Sequence, residues 1–240
     1  MKRWTFAADL HGDKQDQQAV RAFGKFVDSY KPDIRIFGGD LWDFRAWRKG
    51  ADDNERRERV RADFDAGMDF LRWYKPHYIT LGNHDVRLWD QLENSGPLAD
   101  FAEGLIGEFN TLTRKLKTRV LPFDKRNGVL RLGKMKFAHG FFNGINSARQ
   151  MAQAFGSIMF GHGHAIDVAS SPSDDRRAAR MVGCLCQLDF RYNRAHVAAL
   201  RQAHGWGYGI LFDNGDFHAS QAELIHGRAV VADGFRIVAA

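Results

Sequence analysis

The feature that most constrains the fold is a repeated pattern in which a short apolar strand ends in polar, cation-binding side chains. The pattern occurs three times, with predicted strands at 4–8, 34–37 and 77–81 and predicted helices at 14–29 and 52–74. The order strand, helix, strand predicts right-handed crossover units with parallel strands. The carboxyl ends of such strands meet at one edge of a sheet, where open α/β sheets bind ligands. We therefore expect an α/β protein with its site at that edge.

The side chains at these strand ends are suited to binding cations. Asp9 and His11 follow the first strand with one residue between them, and an extended backbone directs both to the same side. Asp40 follows the second strand, and the two oxygens of one carboxylate can bridge two cations. The third strand ends in Gly-Asn-His-Asp at 82–85. Each cluster alone is common in turns and helix caps, so the prediction depends on all three lying together.

Length and composition favour one globular domain. The chain has 240 residues, of which 44% are hydrophobic and 27% charged, enough for a full core. We expect residues 1–240 to form this single domain. A charge at Asp9 comes too early for a signal-peptide core, and no run approaches the ~18 apolar residues of a membrane span. The expectation is a cytoplasmic protein without a membrane segment.

Net charge and cysteine content constrain the function less than the polar clusters at the strand ends do. The net charge of +6 and the pI near 9.4 are compatible with a polyanionic partner such as nucleic acid, but basic residues on solvated helix faces give the same balance. Cys184 and Cys186 alternate along a predicted strand at 181–190, a spacing that does not suit a disulfide. We expect reduced thiols, with a Cys-x-Cys metal half-site as the alternative.

The second half of the chain is predicted to be richer in antiparallel strands. Residues 120–138 are predicted to form two strands about a turn at 126–128, and later hairpins turn at 213–216 and 233–234. The segment at about 95–125 is either a small cap over the site or a crossover packed on the sheet. Helical crossovers in the first half of the chain and hairpins in the second half are compatible with two stacked mixed sheets.

Five short motifs in order resemble those of the calcineurin-like metallophosphoesterase superfamily. They are Asp9-x-His11, Gly39-Asp40-x-x-Asp43, Gly82-Asn83-His84-Asp85, His139-Gly140 and Gly161-His162-Gly163-His164. The match covers residues 9–164, about two thirds of the chain. The resemblance implies a four-layer αββα sandwich of two mixed β-sheets flanked by helices. It also implies a dinuclear metal-dependent hydrolase of phosphate esters.

The same resemblance implies a ligand set for two divalent metal ions. Asp40 would bridge the two metals, and the other ligands would be Asp9, His11 and His164 for one ion and Asn83, His139 and His162 for the other. Imidazole, carboxylate and amide donors suit manganese, which we favour, or iron or zinc. The ions would bind the phosphate and lower the pKa of a bridging water. His84 is expected to protonate the leaving group, with Asp43 orienting its imidazole.

The substrate class remains open between alternatives. Trp42 and Phe44-Arg45 stand where the phosphoprotein phosphatase branch has Val and Arg-Gly, and His84 stands where the lipid-precursor pyrophosphohydrolase branch has Arg. With the basic charge balance, these departures favour a phosphodiesterase acting on nucleic acid or a nucleotide. A phosphomonoesterase or nucleotide pyrophosphohydrolase is the alternative. A non-catalytic binding scaffold is a third hypothesis, although such members are expected to lose ligands.

Three arginines are candidates for substrate binding. Arg87 follows His84 by three residues, and its guanidinium could clamp a phosphate oxygen or form a surface ion pair. Arg176 and Arg177 follow a predicted loop close in sequence to His164. We hypothesise that these two arginines help to bind an anionic substrate.

Overall fold

The computed structural model describes residues 1–172, 177–188, 200–231 and 236–239. The helices are α1 (Gln17–Tyr30), α2 (Asp53–Arg56), α3 (Val60–Tyr74), α4 (Arg87–Asp90), α5 (Pro97–Leu116) and α6 (Ser147–Phe155), with 3₁₀ turns at Gly12–Lys14, Arg45–Trp47 and Gln91–Glu93. The strands are β1 (Lys2–Ala7), β2 (Ile34–Phe37), β3 (Tyr78–Thr80), β4 (Arg119–Leu121), β5 (Leu130–Leu132), β6 (Met135–Ala138), β7 (Ile158–Phe160), β8 (Asp167–Ser170), β9 (Ala178–Met181), β10 (Gly205–Leu211), β11 (Phe217–Ile225), β12 (Arg228–Val231) and β13 (Arg236–Ala239).

The described strands form two mixed sheets. The larger sheet has eight strands in the order β13-β12-β11-β10-β1-β2-β3-β4, and the smaller has five in the order β5-β6-β7-β9-β8. In the larger sheet β1 to β4 are parallel, while β10 pairs antiparallel with β1. In the smaller sheet β6, β7 and β9 are parallel, with antiparallel strands at both edges. The predicted parallel crossover units of the first half are therefore present.

Aromatic side chains hold the two sheets face to face. Trp4 and Phe6 of β1 alternate with outward-facing residues, and both pack against Phe137 of β6 with ring centroids 5.0 and 5.8 Å apart. All three are buried, together with Met159 and Val182. Because side chains alternate between the faces of a strand, the opposite face of the larger sheet must be covered separately.

Helices cover both outer faces. Phe23 of α1, Phe64 of α3 and Phe109 of α5 share one buried cluster with residues of the larger sheet. Met151 of α6 packs with Phe160 on the smaller sheet. The order helix, sheet, sheet, helix confirms the predicted αββα sandwich.

Local sequence determines where the first helix, α1, begins and ends. Asp16 accepts a hydrogen bond from the Ala19 amide at 2.8 Å and so caps the helix start. The helix ends at Lys31, which has a left-handed backbone with φ of 50°. The predicted start at 14 was early because residues 12–14 form a 3₁₀ turn ahead of the cap.

The segment at about 95–125 contains α5 and β4. Pro97 occupies the first turn of α5, after a left-handed Gly96. The helix buries Ala102, Leu105 and Phe109 in the core, and β4 continues the parallel sheet beside β3. The segment thus has the geometry of a crossover connection. Across the described residues, every helix is too short or too polar to cross a membrane.

Two predicted features of the second half were wrong. A turn is present at 126–128, where Gly128 N donates to Asp124 O at 2.8 Å, but it joins β4 of the larger sheet to β5 of the smaller. The hairpin turn lies at Gly133-Lys134, between β5 and β6. Gly133 has φ of 58°, the left-handed conformation that such a tight turn requires. Residues 182–188 do not continue the strand predicted for 181–190. One of their backbone bonds goes to a site loop instead, from Leu185 N to Asp9 O at 3.1 Å, and Cys184 N bonds to Ala203 O.

Other predictions fall outside the described residues. These are the end of the 181–190 strand, the turn at 233–234, and most of residues 191–203, whose sequence predicts a basic amphipathic segment. The hairpin turned at 213–216 is present, because β10 and β11 pair antiparallel from Gly205 to Leu211.

Candidate metal centre

The predicted ligands come from the carboxyl ends of strands in both sheets. Asp9, Asp40 and Asn83 follow β1, β2 and β3, while His139 follows β6 and His162 follows β7. Backbone hydrogen bonds tie these loops together, as from Leu10 N to Asp40 O at 2.9 Å. The seven predicted ligands are therefore gathered at one end of the sandwich, where the carboxyl ends of parallel strands from both sheets lie.

The backbone at this edge is strained. Five of the predicted ligands have φ in the left-handed region, namely Asp9 (57°), His11 (54°), Asp40 (50°), His162 (69°) and His164 (52°). This conformation is uncommon for residues with a Cβ and persists where the surroundings enforce it. Such strain is concentrated at functional sites, so it supports the location of the site independently of the side chains.

One group of donors is formed by His11, His164 and Asp9. The Nε2 atoms of His11 and His164 lie 3.1 Å apart, and Oδ1 of Asp9 is 3.5 Å from Nε2 of His164. All three residues are buried. Two imidazole nitrogens directed at one another need either a shared proton or a cation between their lone pairs. The geometry fits a cation held by nitrogen and oxygen donors.

A second group surrounds His139. Its Nε2 is 3.0 Å from Asn83 Oδ1 and 3.1 Å from His162 Nδ1. Its Nδ1 donates a hydrogen bond to the carbonyl oxygen of Gly38 at 2.8 Å. This bond fixes the ring and leaves Nε2 directed into the site, as is usual for a metal-binding imidazole.

Asp40 lies between the two groups. Its Oδ2 is 3.2 Å from Nε2 of His139 and 3.9 Å from Nε2 of His11. Burial alone would raise the pKa of Asp40, but His139 and His84 outweigh it and hold that pKa well below its usual range. The carboxylate is therefore ionised and reaches both donor groups.

The electrostatics of the centre favour positive charge. Burial would lower the pKa of His139, but the carboxylates of Asp40 and Asp9 raise it to about 9. The same field that stabilises a proton on this imidazole would stabilise a cation in its place. Donor atoms of Asp40, His139 and His162 lie within 4.8 Å of one another, as do those of His11, His164 and Cys186 and those of Asp40, His11 and the proposed proton donor His84. The residues present fit two divalent cations that share Asp40.

His84 and Asp43 form a pair beside this centre. Nδ1 of His84 is 2.6 Å from Oδ1 of Asp43, and Nε2 is 3.8 Å from Oδ2 of Asp40. Asp43 is almost fully buried, whereas the His84 side chain is 18% exposed. Burial opposes ionisation of Asp43, but His11 and His84 hold its pKa well below the usual range. The pair thus has a buried anion behind a partly exposed imidazole.

The three candidate arginines lie in different places. Arg87 is next to the centre, where its Nη1 donates to the main-chain oxygen of Asp43 at 2.5 Å and lies 3.3 Å from Oδ1. Arg177 lies at the amino end of β9, against Gly156, whereas the metal ligands lie at the carboxyl ends. The structure therefore does not bring Arg177 to the site as predicted, because β8 carries the chain away from His164. Arg176 lies outside the described residues.

Two buried carboxylates support the site loops and were not predicted. Asp85 accepts hydrogen bonds from Leu41 N, Trp42 N and Gly82 N at 2.8, 3.1 and 2.8 Å. Asp63 accepts from the amides of Asp43 and Phe44. Burial raises the pKa of each carboxyl to about 7. Both carboxylates could have been noticed in the sequence. Asp85 is the last residue of the Gly-Asn-His-Asp motif at 82–85, and Asp63 is a charged residue on the apolar face of α3.

Two further contacts could not be read from local sequence. Sγ of Cys186 lies 3.8 Å from Nδ1 of His164, and Asn143 Oδ1 contacts Nε2 of His162. Both cysteines are free and buried, as expected, but a thiol next to the centre was not predicted. Donor atoms of Cys186, His11 and His164 all lie within 4.8 Å of one another, so the thiol lies within reach of the same donor group.

A two-sheet sandwich with a shared carboxylate between clusters of imidazoles defines a metal-dependent phosphoesterase fold. A family model described as calcineurin-like phosphoesterase matches residues 2–177, and the chain belongs to this family. No curated protein matches the sequence.

Several solved structures are similar in fold, at low sequence identity. Vps29 from Entamoeba histolytica, complexed with Zn²⁺, is 10% identical, with 95% of each chain covered and a TM-score of 0.49. Vacuolar protein sorting 29 from Cryptosporidium parvum is 12% identical, with 92% of this chain and 96% of that chain covered and a TM-score of 0.45. A predicted phosphoesterase from Streptococcus pneumoniae TIGR4 is 12% identical, with 100% and 98% covered and a TM-score of 0.33.

Proposed function

We propose that this protein hydrolyses phosphate esters at a centre of two divalent metal ions. The observation that carries the proposal is the position of Asp40, whose carboxylate lies between the donor groups of His11 and His139. A shared carboxylate is a common device for holding two cations close together for displacement at phosphorus. Strained backbone at five of the proposed ligands supports the same location.

The proposed ligands are the seven gathered side chains. Asp40 is shared, with Asp9, His11 and His164 on one side and Asn83, His139 and His162 on the other. When bound, two divalent cations would supply positive charge for the phosphoryl oxygens and acidify water near neutral pH. Nitrogen and oxygen donors predominate, so we favour manganese, with iron or zinc as alternatives.

His84 is the proposed general acid. Its Nδ1 donates to Asp43, so Nε2 is the atom free to transfer a proton to the leaving-group oxygen. The buried Asp43 anion stabilises the protonated imidazole and fixes its orientation. Arg87, which contacts Asp43, lies near enough to the pair to be proposed as a phosphate-binding group as well.

The proposed substrate is a phosphodiester of nucleic acid or a nucleotide. This rests on the sequence departures at Trp42, Phe44 and His84 from two other branches, and on the net charge of +6. A phosphomonoesterase or nucleotide pyrophosphohydrolase is the second candidate. We also propose one domain over residues 1–240 and a cytoplasmic location, the latter because Cys184 and Cys186 are free thiols.

Metal analysis combined with two model substrates tests the proposal. The purified protein is assayed for metal content and for hydrolysis of bis- and mono-nitrophenyl phosphate, beside Asp40→Asn and the control His218→Ala, which changes an exposed histidine. We expect metal-dependent turnover in the wild type and the control, a preference for the diester, and loss of turnover in Asp40→Asn. Bound metal without turnover of either ester would favour the binding scaffold. Equal turnover in Asp40→Asn would contradict the metal assignment.

A further inference from the structure

Asn143 lies next to one group of proposed metal ligands without belonging to it. Its Oδ1 contacts Nε2 of His162, while the other nitrogen of that ring, Nδ1, is 3.1 Å from Nε2 of His139. An amide oxygen accepts hydrogen bonds and cannot donate one, so the imidazole donates through Nε2. A neutral imidazole carries a single ring proton. The contact with Asn143 therefore leaves a lone pair on Nδ1 of His162.

His139 has the same arrangement with its two ring nitrogens exchanged. Its Nδ1 donates to the main-chain oxygen of Gly38 at 2.8 Å, so Nε2 is the nitrogen available to a cation. This Nε2 is 3.0 Å from Oδ1 of Asn83 and 3.2 Å from Oδ2 of Asp40. In each ring one nitrogen is thus bonded to an oxygen outside the donor group, and the other faces the donor group.

The loop between β6 and α6 brings Asn143 to this ring. The loop begins at His139, whose main-chain oxygen accepts a hydrogen bond from Gly161 N at 2.7 Å, next to His162 in sequence. A Cβ at Gly140 would lie 2.8 Å from Cβ of His162, closer than real side chains approach. Glycine at this position therefore lets the loop pass beside the ring.

Aromatic contacts hold the same loop in place. The ring of Phe141 packs against those of Phe123 and Phe155, with centroids 5.6 and 5.4 Å apart. Asn143 itself is exposed, but it extends from a segment that is packed on its neighbours. The position of its amide relative to His162 is therefore set by the fold.

We propose that Asn143 is a positioning residue for the metal ion assigned to Asn83, His139 and His162, because it keeps the His162 proton on Nε2 and the Nδ1 lone pair available to the cation. The inference rests on the proposed metal centre and adds a residue outside its ligand set. Hydrogen-bond partners of this kind fix the tautomer and orientation of a metal-binding imidazole, and their loss typically lowers metal affinity about 10–100-fold. For His139 the partner is a main-chain oxygen, which no substitution removes. For His162 it is a side chain, so the affinity of this one ion depends on the residue at 143.

Calorimetric titration of the chelator-treated protein with Mn²⁺ tests the proposal. The wild type is compared with Asn143→Leu, which is similar in size but has no acceptor, and with Asn143→Asp, which keeps an oxygen. The control is Asn146→Leu, which changes another exposed asparagine of the same loop. We expect the wild type to bind two ions and Asn143→Leu to lose about 10–100-fold in affinity at one site only. Asn143→Asp and the control should retain both affinities.

Nitrogen chemical shifts of the His162 ring in the metal-free protein test the tautomer separately from metal binding. At about pH 8, above the ordinary imidazole pKa of about 6.5, the wild type and Asn143→Asp should carry the proton on Nε2, and Asn143→Leu should show both tautomers. The Tm of metal-free Asn143→Leu should equal that of the wild type, because residue 143 is exposed, so that lost affinity does not reflect lost stability.

Three results would overturn the proposal: a wild-type His162 ring protonated on Nδ1, unchanged metal affinity in Asn143→Leu, or an equal loss of affinity in Asn146→Leu. A wild type that binds no metal would instead contradict the proposed centre, and the ring shifts would then decide whether Asn143 sets the tautomer.

Discussion

The imidazole of His84 and the carboxylate of Asp43 are joined by a 2.6 Å contact between Nδ1 and Oδ1. The two residues are 41 positions apart in sequence and come from the ends of neighbouring parallel strands. Arg45 Nη1 lies 3.0 Å from Oδ2 of the same carboxylate, so Asp43 is held on both sides. Its anion can therefore orient His84 without moving itself.

Replacing Asp43 should impair proton transfer more than substrate binding. We expect Asp43→Asn to lower kcat by about 10–100-fold for esters with alkoxide leaving groups, because the imidazolium loses its anionic partner. For nitrophenyl esters, whose leaving group needs little protonation, kcat should fall much less. Steady-state kinetics on a matched alkyl and nitrophenyl ester pair measures the difference.

His84→Ala is the companion variant for this prediction. It should show the same dependence on the leaving group, with a loss of about 10²–10⁴-fold for the alkoxide ester. An equal loss for both esters in Asp43→Asn would mean that Asp43 acts on the metal centre and not through His84.

Removing metal should destabilise the protein as well as inactivate it. The centre concentrates buried imidazoles and carboxylates, with Nε2 atoms of His11 and His164 only 3.1 Å apart. A cation that binds only the folded state at 100 times its Kd adds about 2.7 kcal/mol to the free energy of unfolding. We expect chelation to lower Tm and added manganese, iron or zinc to restore it. A Tm that does not respond to chelation or to any of these ions would contradict a metal centre at this edge.

Much of the site was predictable because its residues follow strands. Asp9, Asp40 and Asn83 each come directly after an apolar run, and parallel strands bring their carboxyl ends together. The other ligands, among them His139, His162 and His164, were implied by the resemblance of five ordered motifs to the calcineurin-like family. The side-chain distances, and the burial that sets each pKa, depend on the packing of two sheets and could not be read from the sequence.

The error at Arg177 has a physical cause, since closeness in sequence was taken for closeness in space. Arg177 is 13 residues from His164, but β8 runs antiparallel to β9 and carries the chain to the other end of the sheet. The reverse holds for Cys186, which is 22 residues from His164 and yet contacts its ring. Neither relationship follows from local periodicity.

The stability of the fold should depend on the aromatic contact between the sheets. Phe137 is fully buried against Trp4 and Phe6, so truncation leaves a cavity between two β-sheets. We expect Phe137→Ala to lower the free energy of unfolding by about 3–5 kcal/mol. Urea unfolding measures the change, and Phe212→Ala, at an exposed phenylalanine, serves as the control. A loss below about 1 kcal/mol would contradict the assignment of this residue to the inter-sheet core.

Asp63 should make stability fall as the pH rises. Burial raises its pKa to about 7 in the folded protein, above the ordinary value of 3.8. Between these two pH values the folded state holds a proton on Asp63 that the unfolded state has lost, so the contribution of Asp63 to the free energy of unfolding decreases from about pH 4 to pH 7 and is level above that. Asp63→Asn keeps an oxygen for the amides of Asp43 and Phe44 but carries no charge. We expect this variant to be more stable than the wild type above pH 7, by up to about 4 kcal/mol, and similar to it near pH 4. Urea unfolding of both proteins across this range measures the difference, and a constant difference at every pH would show that Asp63 is ionised throughout.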